Sequence, residues 1–141
     1  MKLAFYYHIP MRHNTDGNML MPSYLGVFID SLATYVEELC LIMHESDEQD
    51  TEADYVLQGK NIEWVSLGKK TPAWHRAIFY SKILREPLSK IEDYDVLLVR
   101  SPSPLAPYFS KFTQKVRLVY MIVGDYSEGV KNSKSVGFRE R

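Results

Sequence analysis

The stretch Leu39-Cys40-Leu41-Ile42-Met43-His44 is an almost unbroken apolar run, and it is one of five such runs in the chain. The five runs are Leu3–Ile9, Leu39–His44, Ile62–Leu67, Tyr94–Arg100 and Val116–Val123. Three of them lack the alternation of apolar and polar residues that marks a half-exposed strand. Uninterrupted apolar runs are typical of strands that helices cover on both faces. The sequence therefore predicts an α/β fold.

Helix-like stretches separate the runs, which predicts a doubly wound parallel sheet with right-handed crossovers. The expected strand order is 3-2-1-4-5. The strand order of such a sheet reverses between the first and fourth strands, and ligands bind at the carboxyl ends of the strands there. Any functional site should lie at that edge.

The connections carry helix signals of their own. A first helix is expected from about Ser23 to Glu38, with Ser23 as its N-cap. Its apolar stripe should comprise Leu25, Phe28, Leu32, Tyr35, Val36 and Leu39.

Two later helices are expected. One should begin at Thr71-Pro72 and bury Trp74 and Ile78, and Pro87 should either end it or start a second short turn that runs to Ile91. The other should begin at Ser103-Pro104 and bury Leu105, Tyr108, Phe109 and Phe112. Tyr55–Gln58 is expected to pair with Ile62–Leu67 or to form a short edge piece.

Composition limits the class of protein. The 141 residues suit one domain, and the net charge of −1 argues against a nucleic-acid-binding module. Cys40 is the single cysteine, which indicates a reducing compartment without a disulfide. The apolar start is too short for a signal peptide or membrane span, so we expect a cytoplasmic domain. Peripheral membrane association through another part of a larger protein stays open.

Polar residues follow the first, fourth and fifth predicted strands, in segments His8–Leu25, Arg100–Ser103 and Gly124–Ser127. Arg100 should face the crevice and bind a phosphate or carboxylate, or form an ion pair with Asp125 or Asp95. Asp125 should accept hydrogen bonds from substrate hydroxyls or cap a turn.

His8 is a candidate ligand or acid–base group at the same edge. His8 and His44 would end neighbouring strands, but no third ligand completes a metal pattern, so no metal is predicted. The stretch Pro22–Gly26 opens the first helix, where free N–H groups, including that of Ser23, could hold a phosphate. The alternative is that Gly26 serves close packing. Met11, Met19 and Met21 should fill the core under a long loop or form an adaptable binding surface.

The order of these features resembles the N-terminal, acceptor-side domain of a GT-B glycosyltransferase, of the retaining, family-4-like group. The resemblance covers about residues 1–125. It is carried by Met1–Tyr6, Tyr24–Gly26, Val27–Leu39, Asn61–Gly68, Asp93–Arg100 and Val119–Asp125. Arg100 and Asp125 stand where many such enzymes have histidines.

The resemblance implies transfer of a sugar from a nucleotide-sugar donor to a saccharide or lipid acceptor, without cofactor or metal. Gly26 would approach the diphosphate, while Arg100, Ser101 and Asp125 would line the acceptor side. The chain would form a single Rossmann-like domain over residues 1–141, the N-terminal half of a two-domain enzyme. Residues 126–141 would lead to the missing C-terminal domain, and the chain alone would be inactive.

Other classes compete with this interpretation. A freestanding flavodoxin-like domain would bind a mononucleotide, but the residues after the first strand, His8–His13, are poor in Ser, Thr and Gly. A phosphoacceptor receiver needs clustered acids that this segment and Leu67–Lys69 do not supply. A protein-interaction domain would show an empty, non-polar crevice at the strand ends.

Overall fold

A computed structural model describes residues 1–123 of the chain. Within that range the elements are β1 Lys2–Tyr6, β2 Arg12–His13, β3 Met19–Met21, α1 Ser23–Ala33, β4 Glu38–Glu45, β5 Tyr55–Val56, β6 Ile62–Lys69, α2 Ala73–Ile78, α3 Tyr80–Ser89, β7 Val96–Ser101, a 3₁₀ helix Ala106–Lys111 and β8 Arg117–Ile122.

Five of the strands form one sheet in the order β6-β4-β1-β7-β8, and every neighbouring pair is parallel. Counted along the sheet's own strands, this is the predicted order 3-2-1-4-5. The first and fourth strands of the sheet, β1 and β7, lie side by side with Tyr6 opposite Val99. The α/β fold and the position of the switch point are therefore confirmed.

The sheet separates two apolar cores, because side chains alternate along each strand. Leu3 and Phe5 of β1 pack on the α1 side, while Ala4 and Tyr6 pack with Leu84 of α3 on the other side. The connections that follow β1 and β4 lie on the α1 side. Those that follow β6 and β7 lie on the α3 side, which gives the doubly wound arrangement.

The first helix ends earlier than predicted, at Ala33 rather than near Glu38. Strand β4 already pairs with β1 at Glu38, so the chain must turn before it. The side-chain amide of Asn61 donates to the carbonyl of Ala33 at 2.9 Å and to that of Val36 at 3.0 Å, which satisfies the orphan carbonyls of the turn.

The predicted apolar stripe of α1 is also wrong in part. Tyr35 lies beyond the helix and is 82% exposed, and Phe28 is partly exposed. The buried positions are Leu25, Gly26, Ile29 and Ala33. Ser23 is the first helical residue and makes no cap, since Pro22 occupies the N-cap position.

The segment predicted as a loop from Pro10 to Pro22 contains a short hairpin. Strands β2, β3 and β5 form a small antiparallel sheet, so Tyr55–Val56 pairs with β3 and not with Ile62–Leu67. Met11 and Met21 are fully buried on the α1 side, which confirms their role in filling the core.

The prediction for the second helical region is wrong about its buried side. Trp74 and Ile78 of α2 are 63% and 64% exposed, and the buried residue of α2 is Arg76. Pro87 lies inside α3, with its ring buried, and does not end it. The third predicted helix is a 3₁₀ helix that starts at Ala106 rather than Ser103, with Phe109 buried and Tyr108 and Phe112 only partly so.

Among residues 1–123, no helix has the length and apolar character that crossing a membrane requires.

Candidate functional site

Arg100, at the carboxyl end of β7, lies against a residue that follows β1. Its guanidinium carbon is 4.3 Å from the centre of the Tyr7 ring, a cation–π contact. The Tyr7 ring in turn lies 4.4 Å from the imidazole of His8. Because β1 and β7 are adjacent and parallel, the structure brings His8 and Arg100 to the same edge of the sheet, as predicted.

His8 is held in its neutral form. Burial, followed by the positive charges of Lys70, Arg76 and Arg100, lowers the pKa of His8 to about 4. Its Nδ1 atom is buried and has no hydrogen-bond partner among the described residues. Three cations therefore contribute to the low pKa of His8, which lies at the point where the strand order reverses.

His44, near the end of β4, is a second histidine with a lowered pKa and an unpartnered ring nitrogen, and it is 1% exposed. Burial and the charge of Arg76 are the main causes that lower the pKa of His44 to about 4. Its Nδ1 atom lies 3.3 Å from the carbonyl oxygen of Gly68, which can only accept, so Nδ1 carries the proton. Nε2 is thus an acceptor, and it is buried without a partner in the described residues.

Arg76 is the most unusual side chain of this edge, since it is charged and only 5% exposed. Its Nε and Nη1 atoms are buried and have no hydrogen-bond partner within residues 1–123. It lies on α2, which follows β6, and its charge contributes to the shifted pKa values of Tyr6, His8 and His44. A buried guanidinium with unsatisfied donors is costly unless an anion compensates it.

Lys70, just after β6, contributes a further cation. Burial and the charge of Arg76 lower the pKa of Lys70, while Glu52 and Asp50 act in the opposite direction. Beside it, a groove of about 930 Å³ runs between the acidic segment 45–50 and residues Lys69–Thr71. A second cavity, of about 520 Å³, is lined by His44 and by residues of β6, α2 and α3.

We call His8, His44, Lys70, Arg76 and Arg100 the strand-end cluster. The five ion pairs found among the described residues all lie elsewhere, and none involves a member of this cluster. Two of them join Lys2, at the opposite edge of the sheet, to Glu38 and Asp93. The sheet therefore has paired charges at its amino edge, whereas Arg76 and Arg100, which follow β6 and end β7, make no ion pair among residues 1–123.

Of the other predicted site residues, Ser101 ends β7 next to Arg100. Ser23 is exposed at the start of α1. Burial is the main cause that raises the pKa of the adjacent Tyr24, and the charge of Arg100 acts in the opposite direction. Asp125 lies outside the described residues.

Gly26 is buried against the small antiparallel sheet. A Cβ atom at this position would lie 2.2 Å from Cδ1 of Tyr55. The N–H of Gly26 donates to the carbonyl of Pro22, so it is already used inside the helix. Close packing therefore accounts for this glycine, which was the alternative to a phosphate-binding role.

Arg76 and Lys70 were not among the predicted site residues. Trp74 and Ile78 are one helical turn apart and lie on one face of α2, and Arg76 lies on the opposite face. An expectation that Trp74 and Ile78 face solvent would therefore have predicted a buried Arg76. The apolar character of Trp74 and Ile78 suggested the opposite orientation.

Among residues 1–123, no three His, Cys, Asp or Glu side chains form a group that could hold a metal ion.

Comparison with known proteins identified no match for the chain, whether among protein-family models, curated proteins or solved structures.

Proposed function

We propose that this chain is the acceptor-side domain of a glycosyltransferase that moves a sugar from a nucleotide-sugar donor to a saccharide or lipid acceptor. The observation that carries the proposal is the placement of His8 and Arg100 at the switch point of a 3-2-1-4-5 parallel sheet, where Nδ1 of His8 and Nε of Arg100 are buried without hydrogen-bond partners among residues 1–123. Ligands of such sheets bind at this edge.

In this proposal the domain acts by positioning. Arg100 and Ser101 at the end of β7, with His8 across from them, line the place where the acceptor lies. Holding an acceptor hydroxyl in line with the donor sugar lowers the barrier by orientation, and nearby cations stabilise the charge of the departing diphosphate. A second, donor-side domain supplies the nucleotide-sugar site, so the chain alone has negligible transferase activity.

The loop after β1 favours this proposal over a flavodoxin-like mononucleotide site. A phosphate loop needs free backbone N–H groups, whereas the N–H of Met11 donates to the carbonyl of His44 at 3.0 Å. The N–H of Ser46 donates back to the carbonyl of Met11 at 2.9 Å. The loop is therefore tied to β4. The polar strand ends also argue against a bare protein-interaction scaffold.

The test is an amide and imidazole NMR titration of the chain with monosaccharides, glycosyl phosphates, UDP-glucose and flavin mononucleotide. We expect saccharide-containing ligands to shift the resonances of His8, Arg100 and Ser101, and we expect no turnover of UDP-glucose. Arg100→Gln should weaken these shifts, while Arg85→Gln, an exposed position on α3, should not.

Two results would overturn the proposal. One is saturable stabilisation by flavin mononucleotide alone, which would reach about 2.7 kcal/mol at a hundredfold excess over its Kd and would identify a mononucleotide domain. The other is turnover of a nucleotide-sugar by this chain without a second domain.

A further inference from the structure

We propose that α2 and the start of α3 dock on a lipid bilayer that carries anionic headgroups. Trp74, Ile78 and Phe79 enter the interfacial layer of the bilayer, and Lys82 and Arg85 contact its headgroups. We call the three apolar residues the α2 ridge. Docking of this kind concerns a surface of the domain and is independent of the proposed transfer reaction.

The side chains of the α2 ridge are exposed although they are large and apolar. Trp74 is 63% exposed, Ile78 is 64% exposed and Phe79 is 42% exposed. Trp74 and Ile78 are four residues apart in α2, so they lie on one face of the helix, and the buried Arg76 lies on the opposite face. Apolar side chains that are exposed next to one another indicate an interaction surface, whereas scattered ones do not.

Ring contacts join the α2 ridge into one patch. The imidazole of His75 has its centre 5.8 Å from the centre of the Trp74 ring and 4.5 Å from that of the Phe79 ring. Nδ1 of His75 lies 3.1 Å from Oγ1 of Thr71, which restrains the imidazole between the two rings. The patch is therefore held in place by the protein before any partner arrives.

Two cations lie directly beside the ridge. A groove of about 590 Å³ is lined by Ile78 and Phe79 of the ridge and by Lys82 and Arg85 of α3. Both cations are exposed, and neither forms an ion pair among residues 1–123. Apolar and cationic side chains thus share one surface.

The charge of this part of the chain differs from that of the whole. The net charge of the chain is −1, yet no aspartate or glutamate occurs between Lys69 and Arg85. Glu86, the next acid along the chain, pairs with Lys90 at 3.6 Å. The acidic segment 45–50 lines a separate groove that no residue of the ridge borders. The cations beside the ridge are therefore available to an anionic partner.

A bilayer fits these properties better than a protein partner does. Tryptophan and phenylalanine side chains with neighbouring cations are typical of surfaces that lie in the headgroup layer. α2 spans six residues, which is too short to supply the anchors of a helix that fills a groove on another protein. A lipid surface needs no matching shape. Each cation near an anionic surface strengthens binding about fivefold.

The ridge lies at the carboxyl edge of the sheet, because α2 follows the end of β6 and all five strands are parallel. His8 and Arg100 lie at the same edge. A bilayer docked on the ridge is beside the place proposed for the acceptor, which favours a lipid over a soluble saccharide. That last step rests on the proposed function, whereas the docking itself does not.

The test is co-sedimentation of the full chain with vesicles of phosphatidylcholine, either alone or mixed with phosphatidylserine. We expect the mixed vesicles to bind about tenfold more tightly or better, since two cations contribute. This preference should fade as sodium chloride rises from about 0.1 M to about 1 M, where the Debye length falls from about 10 Å to about 3 Å. Absence of binding to the mixed vesicles, or equal binding to both kinds, would overturn the proposal.

Trp74→Gln tests the apolar part of the surface. Tyr35→Gln is its matched control, because Tyr35 is also an exposed aromatic residue, at 82%, and lies just after α1. We expect Trp74→Gln to weaken vesicle binding about tenfold and Tyr35→Gln to leave it unchanged. Circular dichroism checks that both variants are folded, as their exposed positions lead us to expect. Equal binding by the two variants would refute the location of the surface.

The double variant Lys82→Gln with Arg85→Gln tests the cations. Its control, Lys60→Gln with Arg117→Gln, removes the same charge from two exposed positions elsewhere. We expect the first variant to lose most of the preference for phosphatidylserine and the control to keep it. A preference that survives in the first variant would contradict the role of these two cations.

Fluorescence distinguishes a bilayer from a second copy of the chain. We expect brominated phosphatidylcholine to quench Trp74, whereas Trp64 is half-buried and donates from Nε1 to the carbonyl of Met43 at 3.0 Å. Trp74→Gln should therefore abolish the quenching. A dimer in sedimentation velocity that Trp74→Gln dissociates, without quenching in the native chain, would identify a second copy as the partner and overturn the proposal. Turnover of UDP-glucose by the chain alone would remove the proposed function and leave the docking surface standing.

Discussion

The phenol of Tyr55 donates a 2.6 Å hydrogen bond to Oδ2 of Asp30, and this contact fixes the small antiparallel sheet to α1. The carboxylate of Asp30 also accepts from the backbone N–H groups of Gln58 and Gly59. One carboxylate thus anchors residues 55–59, the second half of the connection between β4 and β6. By helical periodicity alone, Asp30 falls on the outer side of the helix.

Asp30→Ala should lower the free energy of unfolding by about 2–3 kcal/mol, because it leaves several donors without their charged acceptor. Urea denaturation followed by circular dichroism measures this loss. Tyr55→Phe should destabilise the protein less, since it removes one donor and leaves the other two paired. Ser31→Ala, an exposed position of the same helix, is the control. Equal stability of Asp30→Ala and Ser31→Ala would contradict the anchoring role.

Gly26→Ala should destabilise the protein by about 1–3 kcal/mol, because the added Cβ would lie 2.2 Å from the Tyr55 ring. The ring cannot move away easily while Asp30 holds its hydroxyl. In a Tyr55→Ala background the same substitution should cost much less, and a double-mutant cycle measures the difference. A cost that is unchanged in that background would show that Gly26 is required for another reason.

The free energy of unfolding should fall as the pH drops from 6.5 to 4. Above pH 6.5 the imidazole of His44 is neutral in both the folded and the unfolded chain. Below it, the unfolded chain binds a proton at the ordinary pKa near 6.5, whereas burial and the charge of Arg76 hold the folded pKa at about 4. His8 acts in the same direction.

The full shift of His44 corresponds to a loss on the order of 3 kcal/mol by pH 4. Urea denaturation at half-unit pH steps measures it. His44→Gln should flatten the curve between pH 6.5 and 5, while Ser31→Ala, an exposed position of α1, should leave the slope unchanged. A His44→Gln protein with the native slope would show that another group controls the effect.

Arg100→Gln should raise the pKa of His8 only slightly, because desolvation is the largest cause of the low value and the charges of Lys70 and Arg76 stay in place. Imidazole NMR titration measures the change. Arg85→Gln, which removes a cation from an exposed position of α3, is the control. A His8 pKa that does not move in Arg100→Gln would contradict the juxtaposition of these two residues.

Cys40 should be inert in the folded protein. It is 1% exposed, and burial is the main cause that raises the pKa of its thiol to about 12. Since the thiolate is the reactive form, we expect its reaction with an aromatic disulfide at pH 8 to be slowed about a hundredfold or more relative to the urea-unfolded chain. Reaction at the unfolded rate would show that β4 opens readily.

The strand order and the position of the switch point were predictable, because continuous apolar runs and short connections leave few topologies. The lengths and buried faces of the helices were less predictable. α1 ends at Ala33, whose carbonyl accepts a hydrogen bond from the side chain of Asn61, and α2 leaves Trp74 exposed and buries Arg76. The first is a contact between residues far apart in the chain, and the second is an orientation that periodicity does not encode.

The sequence by itself determined the alternation of strands and helices, and with it the place where β1 and β7 meet, because handedness and burial constrain parallel sheets locally. Only the tertiary structure decided which cations share that edge. Arg76 and Lys70 come from the connection after β6, and His44 comes from β4. Their common environment results from the folding of separate segments onto one sheet edge, which no local pattern records.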